Sequence, residues 1–139
     1  DSRAVYGIDD AIERTKRYID AGAEICFADG IGTREELEKF AKELSGSGAY
    51  LVANMIEGGK TPLIPAEELE QMGFSLVFWA CSAVYTISKA LYDLFGNLAQ
   101  DGTTEKSLDR MIEFSQFNSM IGLDTYKEYE RKYKVDRDD

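Results

Sequence analysis

A repeat restricts this fold most. Three short apolar runs, EICFA (24–28), YLVAN (50–54) and SLVFWA (75–80), begin about 25 residues apart, with a helical pattern in each gap. Each run is apolar almost throughout, which predicts strands covered on both faces, as in a parallel sheet. Before the first run, DDAIERTKRYIDAG places Ile12, Tyr18 and Ile19 near one face, with Gly22 as a C-terminal stop. TREELEKFAKEL sets Leu37, Phe40, Ala41 and Leu44 at helical spacing, and Thr33 to Glu36 reads as a capping box. PAEELEQMG opens with Pro65 in the first turn and closes at Gly73.

This βα alternation is the signature of an α/β chain, either a (β/α) barrel or a doubly wound sheet. A closed barrel has eight strands in about 250 residues. The 139 residues here offer three strands, with a fourth expected to end in the opening DSR. That amounts to half a barrel, with two open parallel edges and a half-exposed core. A piece of something longer is therefore expected, or a chain whose other half is supplied separately. The opening Asp in place of Met agrees with processing or trimming.

After the third strand, AVYTISKALYDLFGNLAQDG carries Val84, Ile87, Leu91, Leu94 and Leu98 as a long apolar seam that ends at Gly102. The seam suits core packing against a barrel, or a helix that also packs on another subunit. EKSLDRMIEFSQFNSMIG and DTYKEYERKYK read as two further helices outside the repeat, and VDRDD as a frayed tail. The expected division is 1–102 for the βα units and 103–139 for a helical extension.

Charge and composition exclude several classes. A net charge of −10 disfavours nucleic acid and anionic membrane as partners, but not a small anionic substrate held by a few local cations. No apolar run approaches the roughly 20 residues of a membrane span, and no signal peptide is visible. Cys26 and Cys81 lie in apolar runs and read as buried free thiols in a reducing, cytoplasmic compartment. With no histidine and no CxxC, a zinc site and a His-based triad are disfavoured. Any acid or base must be a carboxylate, Lys, Tyr or Cys, or come from outside the chain.

In a βα barrel, chemistry sits at the C-terminal ends of the strands. Those ends carry Arg3, Asp29, the stretch NMIEGGKTP with Asn54, Glu57, Lys60 and Thr61, and then Cys81 and Ser82. Arg3 can fork onto a carboxylate, and Asn54 can donate to a second. Asp29 and Glu57 can hold a hydrated Mg²⁺ directly or through water. Gly58 and Gly59 can let backbone N–H groups approach an anion. Each has a plainer reading: Asp29-Gly30 as a turn, Glu57 paired with Lys60, the glycines as turn-formers, and Ser82 as a helix cap.

NMIEGGKTPL, then QMGFSLVFWACSAVYTISKALYDLF, then DGTT, then FSQFNSMIGLDTYKEYERKY together resemble the isocitrate lyase / phosphoenolpyruvate mutase superfamily. The likeness is strongest to the branch of petal death protein, 2-methylisocitrate lyase, dimethylmalate lyase and carboxyvinyl-carboxyphosphonate phosphorylmutase. It implies the C-terminal half of a (β/α)8 TIM-type barrel, with an eighth helix swapped between subunits of a homo-oligomer, a dimer or tetramer. It implies a Mg²⁺-dependent lyase that cleaves a C–C bond in a 2-hydroxy di- or tricarboxylic acid through an enolate. Phosphonate chemistry, of the mutase or hydrolase type, is the alternative within enzymes. A non-catalytic half-barrel assembly module is the alternative outside them. The resemblance implies substrate binding by Arg3, Asn54, Glu57, Gly58 and Ser82. Asp29 stands where relatives carry Glu near the metal's water shell, and Ala80-Cys81 replaces Pro-Leu of a PLSA-type turn. The KKCGH loop with the family's catalytic Cys, and the Mg²⁺-binding aspartates, are not in this sequence, so no catalytic residue is assigned here. The small carboxylic acid and the N-terminal half of the barrel are the expected partners.

Overall fold

The computed structural model describes residues 2–134 and shows three parallel strands joined by helices. Strand β1 is Ile25–Phe27, β2 is Tyr50–Met55 and β3 is Leu76–Trp79, in the sheet order β1-β2-β3. Helix α1 spans Ser2–Tyr6, α2 Ile8–Asp20, α3 Arg34–Glu43, α4 Ala66–Met72 and α5 Ser82–Asp101. The α/β order and parallel sheet are consistent with part of a (β/α)8 barrel. The opening does not form a fourth strand: Ser2 and Arg3 begin α1, and Asp1 lies outside the described residues.

The chain divides into two compact units, 1–87 and 88–139. In the first, the sheet has one covered face and one open face. Side chains alternate along a strand, and the register assigns each to a face. Cys26, Leu51, Ala53, Met55, Val77 and Trp79 lie on one side. Ile25, Phe27, Tyr50, Val52, Leu76 and Phe78 lie on the other, together with Asn54. The first side meets α2, α3 and α4 in a core of Ile12, Leu37, Phe40, Ala41, Leu44 and Leu69, among others. Met55 and Phe40 are 0% exposed there, and Phe40 stacks on Phe74 with ring centroids 6.5 Å apart. Burying a side chain of that size stabilises by about 1.5–3 kcal/mol.

The second side has no such cover. Ile25 is 63% exposed, Tyr50 60% and Leu76 55%. The prediction of strands covered on both faces therefore holds for one face alone, the face on which α2, α3 and α4 form the core. Val52 is the exception on the open face. Phe27 and Phe78 from the flanking strands approach to 5.9 Å between ring centroids, and Val52 on the central strand is buried.

The helices follow their local signals closely. Thr33 caps α3 by accepting the Glu36 N–H, and Leu37, Phe40, Ala41 and Leu44 are all buried. In α2 the buried positions are Ala11, Ile12 and Thr15, while Tyr18 is exposed, contrary to its predicted place near the apolar face. Thr15 takes that place by donating its hydroxyl to the Ala11 carbonyl at 2.8 Å, which satisfies its one polar group inside the helix. Pro65 is the N-cap of α4, one position before the predicted one. Gly73 adopts φ 107° after α4, a left-handed cap that only glycine takes at no steric cost.

In the second unit, Glu105–Arg110 is a 3₁₀ helix, α6 is Phe114–Met120 and α7 is Leu123–Tyr133. The predicted single helix over EKSLDRMIEFSQFNSMIG is thus two pieces. The backbone turns extended at Met111 (ψ 147°) and Glu113 (ψ 149°), which interrupts the hydrogen-bond ladder. Among the described residues of this unit, Ser107 alone is buried, and it meets Asn97 Nδ2 at 3.3 Å. Val84, Ile87, Leu91 and Leu98 of the predicted seam are exposed along α5, so the seam is not core in this chain. The expected frayed tail, 135–139, lies outside the described residues.

Candidate active site

The polar residues singled out in the sequence sit where β1, β2 and β3 end. Asn54 is the penultimate residue of β2 and shares its face with Phe27 and Phe78. Its Oδ1 is buried and has no hydrogen-bond partner. The chain then turns sharply. Gly59 N donates to the Ile56 carbonyl at 3.0 Å, with Gly58 at φ 72° in the third turn position. A turn of this kind needs positive φ there, so Gly58 has a turn-forming role independent of any ligand. A Cβ on Gly59 would lie 3.0 Å from the Ile56 carbonyl oxygen, which leaves little room for any other residue.

This turn swings Glu57 back across the strand ends. Its Oε1 accepts from the Ser82 hydroxyl at the start of α5, while its Oε2 is buried and unpartnered. The predicted Glu57–Lys60 pair does not form among the described residues, and Ser82 spends its hydroxyl on Glu57. Beside them stand Cys81, half-buried where burial was expected, and Tyr85. The Tyr85 phenol is pushed above its ordinary range by the adjacent Cys81 thiol, with smaller contributions from desolvation and from Glu57, and stays protonated at neutral pH. Cys26 is buried, and desolvation pushes its thiol up, so it is an inert core residue.

A cleft of about 230 Å³ is lined by Asp29, Gly30, Asn54, Ile56, Gly59 and Lys60, among others. Asp29 also lines a second cleft of about 270 Å³ with Arg3, Arg14 and Tyr18. The structure therefore groups Asp29 with Asn54, and Glu57 with Ser82, around the ends of adjacent strands. It places Arg3 differently from its predicted strand end. Arg3 lies on α1, and its Nε and Nη2 both donate to Glu36 Oε2, at 2.9 and 2.7 Å. Glu36, which the sequence reading took only as a helix cap, is thus the site's main addition. Desolvation raises its pKa, but the Gly32 N–H and the Arg3 guanidinium outweigh that and hold it below the usual carboxylate range. Its TREE context explains why it went unread: a glutamate three positions after a capping threonine is already accounted for locally.

A metal finds only part of a site here. Among the described residues no group of three or more Asp, Glu, Cys or His side chains could hold an ion. Asp29 is exposed, and Glu57 is engaged with Ser82. Asn54 Oδ1 and Glu57 Oε2, like Asp10 Oδ2 elsewhere, are buried with no hydrogen-bond partner among the described residues, so each has room to accept from a donor or a cation. No helix among the described residues is long and apolar enough to cross a membrane.

Comparison with known proteins identifies a family. The family model described as phosphoenolpyruvate phosphomutase matches residues 3–99. The chain is 38% identical over 137 residues to 2,3-dimethylmalate lyase of Eubacterium barkeri, covering 99% of this chain and 46% of that protein. It is 40% identical over 134 residues to petal death protein of Dianthus caryophyllus, covering 96% and 41% respectively. A crystal structure of 2,3-dimethylmalate lyase, described as a member of the PEP mutase/isocitrate lyase superfamily, superposes with a TM-score of 0.82 at 29% identity. That match covers 95% of this chain and 45% of the solved one. The chain thus spans less than half the length of these relatives.

Proposed function

We propose that this chain, which belongs to the phosphoenolpyruvate phosphomutase family, supplies one wall of the active site of a carbon–carbon lyase. Its relatives are lyases and mutases, and it matches less than half of their length. Residues 1–102 serve as the C-terminal βα units of a (β/α)8 barrel, and 103–139 as a helical extension. The N-terminal half of the barrel closes the open sheet face. A helix of the extension is exchanged between subunits of a dimer or tetramer, which would cover the apolar side chains of α5 to α7. The substrate is a 2-hydroxy di- or tricarboxylic acid of the dimethylmalate, methylisocitrate or citramalate type.

One observation carries the reading. Asn54 Oδ1 and Glu57 Oε2 are buried without partners at the end of β2, where Asn54 lines a cleft. Unpaired buried acceptors are costly, and a ligand that brings hydroxyl donors would relieve the cost. In this reading Asn54 Oδ1 accepts from a substrate hydroxyl while its amide N–H groups donate to a substrate carboxylate. Glu57 accepts from the substrate hydroxyl or, with Ser82, holds it in place. The N–H of Gly58 faces the same anion. Arg3 offers Nη1 to a carboxylate, since Nε and Nη2 are held by Glu36. Mg²⁺ would stabilise enolate charge. Asp29 alone reaches for its water shell from this chain, so the other ligands, and the acid or base that moves the proton, come from the other half.

The family's own description favours phosphonate chemistry as the second reading. The test is an assay of the complete protein with Mg²⁺ on dimethylmalate, methylisocitrate, citramalate and oxaloacetate, and on phosphoenolpyruvate. Cleavage of a hydroxy acid, weakened about a hundredfold in kcat/KM by Asn54→Ala, is the expected result. Turnover of phosphoenolpyruvate alone would replace the lyase with the mutase. No turnover of any of them would leave the assembly module.

A further inference from the structure

One carboxylate oxygen ties together three segments of the first unit. Glu36 Oε2 accepts from Arg3 Nε at 2.9 Å, from Arg3 Nη2 at 2.7 Å and from the backbone N–H of Gly32 at 2.8 Å. Arg3 comes from α1, Gly32 from the β1–α3 loop and Glu36 from the first turn of α3. The guanidinium also fills the space beside Gly32: a Cβ there would lie 2.4 Å from Arg3 Nη2 and 2.9 Å from Cζ. Gly32 is outside the left-handed region, and its lack of a Cβ leaves room for the guanidinium, which a larger residue would push aside. The side chains of Arg3 and Glu36 are 23% and 22% exposed, enough shielding for charge-assisted hydrogen bonds to matter.

The clamped loop leads back to the cleft. It carries Asp29 and Gly30, which line the cleft together with Asn54. We infer that Glu36 is a positioning residue, whose carboxylate fixes the Asp29–Gly32 loop and orients Arg3 at the rim of the substrate wall. Two of the guanidinium's nitrogens are spent on Glu36, so one edge remains for a ligand. Gly32 belongs to the same device, because any larger residue displaces the guanidinium. The inference rests on the proposed substrate wall for its consequence in binding, but not for the clamp itself.

The test uses the complete protein that carries this sequence, with two readouts. Glu36→Gln removes the charge and keeps the shape. Gly32→Ala keeps the carboxylate and pushes on Arg3. In both variants the amides of residues 29–33 should exchange with solvent about tenfold faster, while those of β2 and the middle of α3 keep their rates. KM for the carboxylic acid that is turned over should rise about tenfold, with kcat within about threefold of the parent. Unchanged loop exchange overturns the clamp. Uniformly faster exchange across the unit also overturns it, since it marks a general loss of stability. Loosened loop amides with unchanged KM overturn the role at the site. If no hydroxy acid is turned over at all, the proposed lyase fails, and the exchange data still decide whether the clamp exists.

Discussion

The two faces of the sheet are built from similar residues and have opposite fates. Toward the helices, Cys26, Leu51, Ala53 and Met55 are buried. On the other side, Ile25, Phe27, Tyr50, Leu76 and Phe78 stand exposed, though most of them are just as apolar. Residue type does not separate the faces, but the presence of cover does. Helices α2 to α4 supply it on one side. On the other, the described residues of this unit leave the side chains exposed, and an apolar patch of this kind marks a surface made for contact.

Substitutions on the two faces should diverge most sharply at the phenylalanines. Phe40→Ala empties a fully buried site and should cost about 3–5 kcal/mol in urea denaturation of this chain. Next in size is Gly58→Ala, which forces φ 72° on an L-residue and should cost about 1–2 kcal/mol in the same measurement. The Glu36 clamp follows, at about 1 kcal/mol for a partly exposed pair. Its pH signature has a definite sign. The folded pKa of Glu36 is depressed, so its contribution is fully present above the unfolded value of about 4.3 and is lost as pH falls through the lower folded value. Glu36→Gln should flatten that part of the acid unfolding curve. Smallest is Phe27→Ala on the open face, worth about 1 kcal/mol or less through its contact with Phe78. Equal costs for Phe27→Ala and Phe40→Ala in this chain would break the comparison between the faces.

Much of this was legible in the sequence because it is local. Strand positions, the Thr33 cap, the buried stripe of α3 and the stop at Gly73 each rest on residues a few positions apart. The candidate site was legible as a list of strand ends, of which the structure joins Glu57 to Ser82 and sets Asp29 and Asn54 along one cleft. What was hidden depends on distant pairs. The Arg3–Glu36 clamp joins residues 33 apart, and no spacing rule announces it. The Ser82–Glu57 contact joins residues 25 apart, and it stands where the plain reading paired Glu57 with Lys60. Tyr18 misled because its place on the helical wheel is only a little off the buried stripe, where Thr15 fits with less bulk. The apolar runs alone do not show the one-sided sheet, because a strand in half a barrel and a strand in a whole one carry the same residues; the count of strands is what predicts a half-exposed core.

The central claim is that the open face is an inner surface awaiting the rest of its barrel. Hydroxyl-radical footprinting of Phe27, Tyr50 and Phe78, compared between this chain and the complete protein, tests it most directly. Strong labelling in this chain that falls to the level of Phe40 in the complete protein is the predicted result. Labelling that stays as strong in the complete protein would mean that the face remains open, and the barrel reading would be wrong.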